Sequence, residues 1–143
     1  MIDRIGHINI RTTFGHYENT LQFYEKLMGL KRSESMATPD PNNLWLYADN
    51  GRAIVHINAV KESGDVEPDG VSTGRLNHVA FDCRDYDLAI TRMNEMGLKY
   101  TRYETQVEGL FLVVTKDPYN NIVIELSFGV DNVIKREFQT ESA

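Results

Sequence analysis

The sequence predicts an α+β fold of two βαβββ modules forming a curved mixed sheet, with the helices outside. Three observations carry that expectation. The chain repeats itself: Ile5-Gly6-His7-Ile8-Asn9-Ile10 returns as Leu76-Asn77-His78-Val79-Ala80-Phe81, and Met28-Gly29-Leu30-Lys31 as Met96-Gly97-Leu98-Lys99. Ala53-Ile54-Val55-His56-Ile57 likewise returns as Ile122-Val123-Ile124-Glu125-Leu126. The offsets are 71 (His7 to His78), 68 (Met28 to Met96) and 69 (His56 to Glu125), a drift of only a few loop residues. Within each copy the apolar pattern switches from period two to helical spacing and back.

In the first half, residues 5–10 alternate, with Ile8 and Ile10 on one face and His7 and Asn9 on the other. Residues 16–28 take helical spacing through Leu21, Tyr24, Leu27 and Met28, and Gly29 stands where a left-handed residue ends a helix. Thr38–Asn43 reads as a loop, and Leu44–Tyr47 turns through Asp49-Asn50-Gly51 into Ala53–Ile57 as a hairpin. Glu, Ser, Gly, Asp and Pro then dominate a linker. The second half restarts with a strand at 76–82 and a helix at 85–96, opened by Asp85 and ended by Gly97. Strands at 98–104, 109–115 and 121–128 follow, the last pair joined by the turn Asp117-Pro118-Tyr119-Asn120-Asn121. The expected divisions are module one at 1–59, linker at 60–75, module two at 76–128 and tail at 129–143, together one domain. In the tail, Val133, Ile134 and Phe138 could dock as a short helix. One helix covers only one face of a four-stranded sheet, so each half is expected to need the other.

Composition narrows the function classes. The 143 residues suffice for one core, and 41% hydrophobic with 25% charged residues is a globular balance. A formal charge of −6 without a Lys/Arg cluster argues against a nucleic-acid surface. No apolar run reaches membrane-spanning length, and the strand-like start leaves no room for a signal peptide. Cys83 is the only cysteine, so an intramolecular disulfide is impossible. A cytoplasmic protein acting on a small molecule, without nucleic-acid or membrane partners, is the expectation.

Strand parity singles out four side chains. Ile8, Ile10, Val55, Ile57, Val79, Phe81, Ile124 and Leu126 share the parity suited to packing on helices, whereas His7, His56, His78 and Glu125 take the opposite one. A single mid-strand histidine is most often a hydrogen-bonded core residue. Four ligand-type positions, related by the repeat and matched in parity, point instead to a metal: Zn, Ni, Co, Mn or Fe all suit imidazole and carboxylate donors. A glutamate inside the apolar run 122–126 would also be costly to bury without a partner. Asn9 and Asn58 share this parity and are candidate substrate contacts, with Tyr103 a further candidate at a strand end. Trp45, Tyr47 and Phe111 read as core or cavity wall, His16 as a surface residue, and Cys83 as inert.

The motifs Gly6-His7-Ile8-Asn9-Ile10, Leu21–Leu30, Asn77-His78-Val79-Ala80-Phe81 and Asp117-Pro118 followed by Ile124-Glu125-Leu126 resemble those of the vicinal oxygen chelate superfamily. This group holds glyoxalase I, methylmalonyl-CoA epimerase, fosfomycin-resistance proteins, bleomycin-binding proteins and extradiol dioxygenases. The resemblance implies a concave site holding one divalent metal, with ligands at the places of His7, His56, His78 and Glu125. It implies a glyoxalase-like lyase or isomerase acting on a substrate with two adjacent oxygens, with His56 and Glu125 as catalytic residues. Glyoxalase I carries a glutamate where this chain has His56, which would serve as a fourth ligand or a mobile base.

An Fe(II) extradiol-type dioxygenase is the enzymatic alternative; the tyrosine and histidine of its signature are missing at Val114 and around Thr105-Gln106-Val107. A non-catalytic small-molecule-binding or resistance protein is the alternative from another class. A homodimer is expected, because an open sheet edge and a shared cavity both invite one.

Overall fold

The computed structural model describes residues 1–2, 4–33, 41–60 and 76–130. The chain divides into two units, Met1–Val71 and Ser72–Ala143. Most of the expected linker and the tail positions Val133, Ile134 and Phe138 lie outside the described residues.

In the first unit, β1 (Ile8–Thr13) leads through a 3-10 turn (Phe14–His16) into α1 (Tyr17–Met28). Strands β2 (Lys31–Arg32), β3 (Asn43–Tyr47) and β4 (Ala53–Val60) complete a sheet of order β1-β4-β3-β2. β1 and β4 pair in parallel from Ile8↔Val55 to Thr13↔Val60, and β3 runs antiparallel to β4. Helix α1 buries Tyr17, Thr20, Leu21, Phe23, Tyr24 and Leu27 at helical spacing, and it touches β1 and β4. The sheet contributes Ile10, Thr12, Leu46, Val55 and Ile57 to this core. Each such apolar side chain contributes about 1.5–3 kcal/mol of burial free energy. Gly29, at φ 68°, ends the helix by donating its N–H to the Glu25 carbonyl at 2.9 Å.

The short edge strand β2 is tied to α1 by Arg32, whose guanidinium reaches Glu25 Oε1 through Nε at 2.9 Å and Glu18 Oε2 at 3.1 Å. The Arg32 hydrogen bond holds the Glu18 carboxyl below its ordinary range.

The second unit repeats the topology. β5 (Val79–Cys83), α2 (Tyr86–Glu95), β6 (Thr101–Glu104), β7 (Phe111–Asp117) and β8 (Ile122–Phe128) form a sheet of order β5-β8-β7-β6. β5 and β8 are parallel from Val79↔Ile124 to Cys83↔Phe128. Asp85 caps α2 by accepting from the Leu88 N–H at 3.0 Å.

Element boundaries differ from expectation in three instructive places. His7 and His78 stand immediately before β1 and β5, because the parallel ladders begin at Ile8 and Val79. β1 continues to Thr13 because its partner β4 continues to Val60. β6 starts at Thr101 rather than at 98, since the Leu98 N–H is spent on the Met93 carbonyl at 2.9 Å, closing the helix.

The β7–β8 turn hangs on Asp117, which is fully buried. Its Oδ1 accepts from the Tyr119 and Asn120 backbone N–H groups at 2.9 and 3.2 Å, and Oδ2 accepts from Asn120 Nδ2 at 2.8 Å. Asn121 then takes a left-handed φ of 55°, which asparagine tolerates. Replacing Asp117 with alanine orphans these donors, and urea denaturation should show a loss of about 1–3 kcal/mol. An unchanged midpoint would mean that the turn holds without its carboxylate.

Candidate metal centre

In the second unit the register places Glu125 opposite Ala80, two residues beyond His78. The His78 and Glu125 side chains face one another, with Nε2 and Oε2 3.4 Å apart. The other ring nitrogen, Nδ1, lies 2.7 Å from Asn77 Oδ1. An amide oxygen can only accept, so Nδ1 carries a proton, and Nε2 is the ring nitrogen turned toward Glu125. Facing a carboxylate oxygen, that nitrogen is joined to it either through a proton of its own or through a shared metal ion. Glu125 is only 18% exposed at its side chain, which raises the cost of leaving the pair uncompensated.

The donor set fits a divalent ion. Two atoms each about 2.1 Å from a shared tetrahedral centre lie roughly 3.4 Å apart. A metal-binding imidazole also ordinarily donates its remote N–H to an oxygen, as His78 does to Asn77. Tyr103 presents its side chain to the same face: it pairs with Leu112, which pairs with Ser127. It is half exposed.

In the first unit, β1, β4 and β3 align Asn9, His56 and Trp45 in one row, and Asn58 pairs with Asn43 in the next. Asn9 Nδ2 lies 2.9 Å from His56 Nδ1, 3.2 Å from the His56 carbonyl and 2.9 Å from Asn58 Oδ1. His56 Nε2 is hydrogen-bonded to Asn43 Oδ1. Trp45 stacks on the His56 ring at 4.1 Å and 2°, and meets the His7 ring edge-on at 4.6 Å. The His7 and His56 ring centres are 6.1 Å apart, and no hydrogen bond engages the His7 ring among the described residues.

Each unit thus contributes its own part of the expected set: His7, His56, Asn9 and Asn58 in one, His78 and Glu125 in the other. Among the described residues no three His, Cys, Asp or Glu side chains form one cluster. Asn43 and Asn77 are site neighbours that sequence reasoning missed, and Trp45 was read only as a wall. Parity signals the first, since Asn43 and Trp45 alternate in step with Asn58 and His56. The repeat signals Asn77, which occupies the place of Gly6.

Other candidates stay outside this chemistry. Burial, and then the neighbouring Asp82 charge, push the Cys83 thiol up to about 11, so it is not activated. The His16 carbonyl accepts from the Thr20 hydroxyl at 2.7 Å.

Comparison with known proteins agrees with this architecture. The family model described as the glyoxalase/bleomycin resistance protein/dioxygenase superfamily matches residues 7–112. A search of curated proteins returned no match. Among solved structures, a glyoxalase/dioxygenase from Nostoc punctiforme shares 19% identity over 87% of this chain and 89% of its own, with a TM-score of 0.66. A glyoxylase/bleomycin resistance protein/dioxygenase domain from Frankia sp. EAN1pec shares 15% identity over 90% and 99%, with a TM-score of 0.65. The fosfomycin resistance protein FosX from Listeria monocytogenes, complexed with Mn(II) and sulfate, shares 17% identity over 90% and 92%, with a TM-score of 0.60. At these identities the likeness is one of fold.

Burial, and then the nearby His7, lower the affinity of His56 for a proton. An NMR titration should therefore place His56 below the ordinary value of about 6.5. The unfolded chain then binds the proton more readily than the folded one, so this contribution to stability falls as pH drops through about 6.5 and levels off below the folded pKa. A His56 midpoint at or above the ordinary value would contradict this.

Proposed function

Because the chain belongs to the glyoxalase/bleomycin resistance protein/dioxygenase superfamily, we propose that it is a divalent-metal-dependent enzyme of the lyase or isomerase type, acting on a small substrate with two adjacent oxygens. The observation that carries this reading is the facing pair of His78 Nε2 and Glu125 Oε2, with the opposite ring nitrogen spent on Asn77. His78 and Glu125 are the proposed metal ligands of the second unit, and His7 is a further proposed ligand. When bound, the metal supplies Lewis-acid stabilisation of negative charge developing on a substrate oxygen.

The protein's own groups do the rest. Asn77 keeps the His78 ring in the tautomer that leaves Nε2 available. Glu125 has a second carboxylate oxygen besides the one facing His78, and that oxygen accepts a proton from the carbon next to the substrate carbonyl, then returns it. Asn58, whose carbonyl oxygen accepts from Asn9, presents its amide N–H groups toward substrate. Tyr103 offers a phenol at the edge of the face that carries Glu125.

Protein purified without added metal should carry Zn, Ni, Co or Mn, and should wash solvent deuterium into an α-hydroxy carbonyl. Glu125→Gln should weaken metal binding at least tenfold and abolish the exchange, read by elemental analysis and mass spectrometry. Bound iron with oxygen consumption on catechols would overturn this reading in favour of ring cleavage. Small-molecule binding unchanged by Glu125→Gln, with no metal in either protein, would make the chain a capture module.

A further inference from the structure

Across the second sheet, one row of side chains lies beside the row that holds Glu125. Asp82 pairs with Ser127, Ser127 with Leu112, and Leu112 with Tyr103, so β5, β8, β7 and β6 each contribute one residue. Ser127 is two residues beyond Glu125 on β8, and Asp82 is two beyond Ala80, the partner of Glu125. Alternation along the strands therefore puts this row on the same face as Glu125, roughly 6.6 Å further along. All of these residues belong to the second unit.

The polar groups of this row are idle. Among the described residues no hydrogen bond or ion pair engages the side chains of Asp82, Ser127 or Tyr103. Ser127 is only 7% exposed, and a hydroxyl so nearly buried costs stability until something bonds it. Asp82 is exposed, so an open carboxylate stands beside a recessed hydroxyl. Between His78 and Asp82 on this face β5 carries only the exposed methyl of Ala80, which leaves the way from one row to the next clear.

We propose that Asp82 and Ser127 form a subsite for a hydroxyl group on the tail of the substrate whose two adjacent oxygens meet the metal at His78 and Glu125. The placement of the tail rests on the metal reading above. A carboxylate only accepts and a serine hydroxyl also donates, so one substrate hydroxyl satisfies both by donating to Asp82 and accepting from Ser127. An ammonium has no lone pair to offer Ser127, and a divalent ion one row away repels it. A tail of about four carbon atoms covers the span between the rows. Leu112, next in the row, gives its carbon chain an apolar neighbour. The substrate class is accordingly a sugar-like chain, with two chelating oxygens at one end and a hydroxylated tail.

The test uses zinc-loaded full chain and three probes that share one chelating end, a carboxylate with a neighbouring hydroxyl. Gluconate carries a hydroxylated tail, 2-hydroxyhexanoate a bare one, and 6-amino-2-hydroxyhexanoate a cationic one. Calorimetry should find gluconate bound at least fivefold tighter than either of the others. Asp82→Ala should erase that preference by weakening gluconate about fivefold or more, with 2-hydroxyhexanoate changed less than about twofold. Asp82→Asn, which keeps an acceptor oxygen at the same place, should recover part of the loss. Ser127→Ala should cost gluconate about threefold.

Equal binding of gluconate and 2-hydroxyhexanoate to zinc-loaded wild type would overturn the subsite and leave the metal reading standing. Equal weakening of both probes by Asp82→Ala would overturn it too, because Asp82 would then act on the chelating end or on the fold. Tighter binding of the amino probe would overturn the hydroxyl class. Failure of wild type to take up zinc would remove the metal reading, and the placement of the tail with it.

Discussion

In each unit the first strand pairs in parallel with the last, and this pairing decides which side chains can reach one another. Side chains alternate along a strand, so the register Ile8↔Val55 commits Ile10, Val55 and Ile57 to the core and His7, Asn9 and His56 to the other face. The register Val79↔Ile124 does the same for Ile124 and Leu126 against His78 and Glu125. A slip of one residue would bury imidazoles and expose the core. Apolar packing under α1 therefore protects the chemistry without touching it: the face that carries the polar groups is whatever the buried face leaves over.

The two units share this frame and spend it differently. In the second, a carboxylate and an imidazole nitrogen face each other 3.4 Å apart, the carboxylate largely buried. In the first, amides surround the equivalent imidazole and satisfy it from both sides. The same backbone register thus carries one polar cluster built on a carboxylate–imidazole pair and one built on amides.

Much of this was legible in the sequence, for reasons that particular residues make plain. The repeat and the parity of His7, His56, His78 and Glu125 were readable because period two is a property of the chain itself. Helix ends at Gly29 and the cap at Asp85 were readable because both are local. The ends of β1 and β6 were not, since they depend on where a partner strand stops or where a helix spends its last hydrogen bond. The two-residue strand β2 is too short to show a period, and it is held by Arg32 reaching back to α1. The amide clamp on His56 escaped notice because Asn43 reads as loop until β4 is laid beside it.

Trp45 is the only tryptophan in the chain. It lies flat against His56 and edge-on to His7, both within 5 Å between ring centres. A cation arriving beside either ring changes the field at the indole face. The protein consequently carries its own optical reporter: its tryptophan emission comes from a single indole that touches both histidine rings.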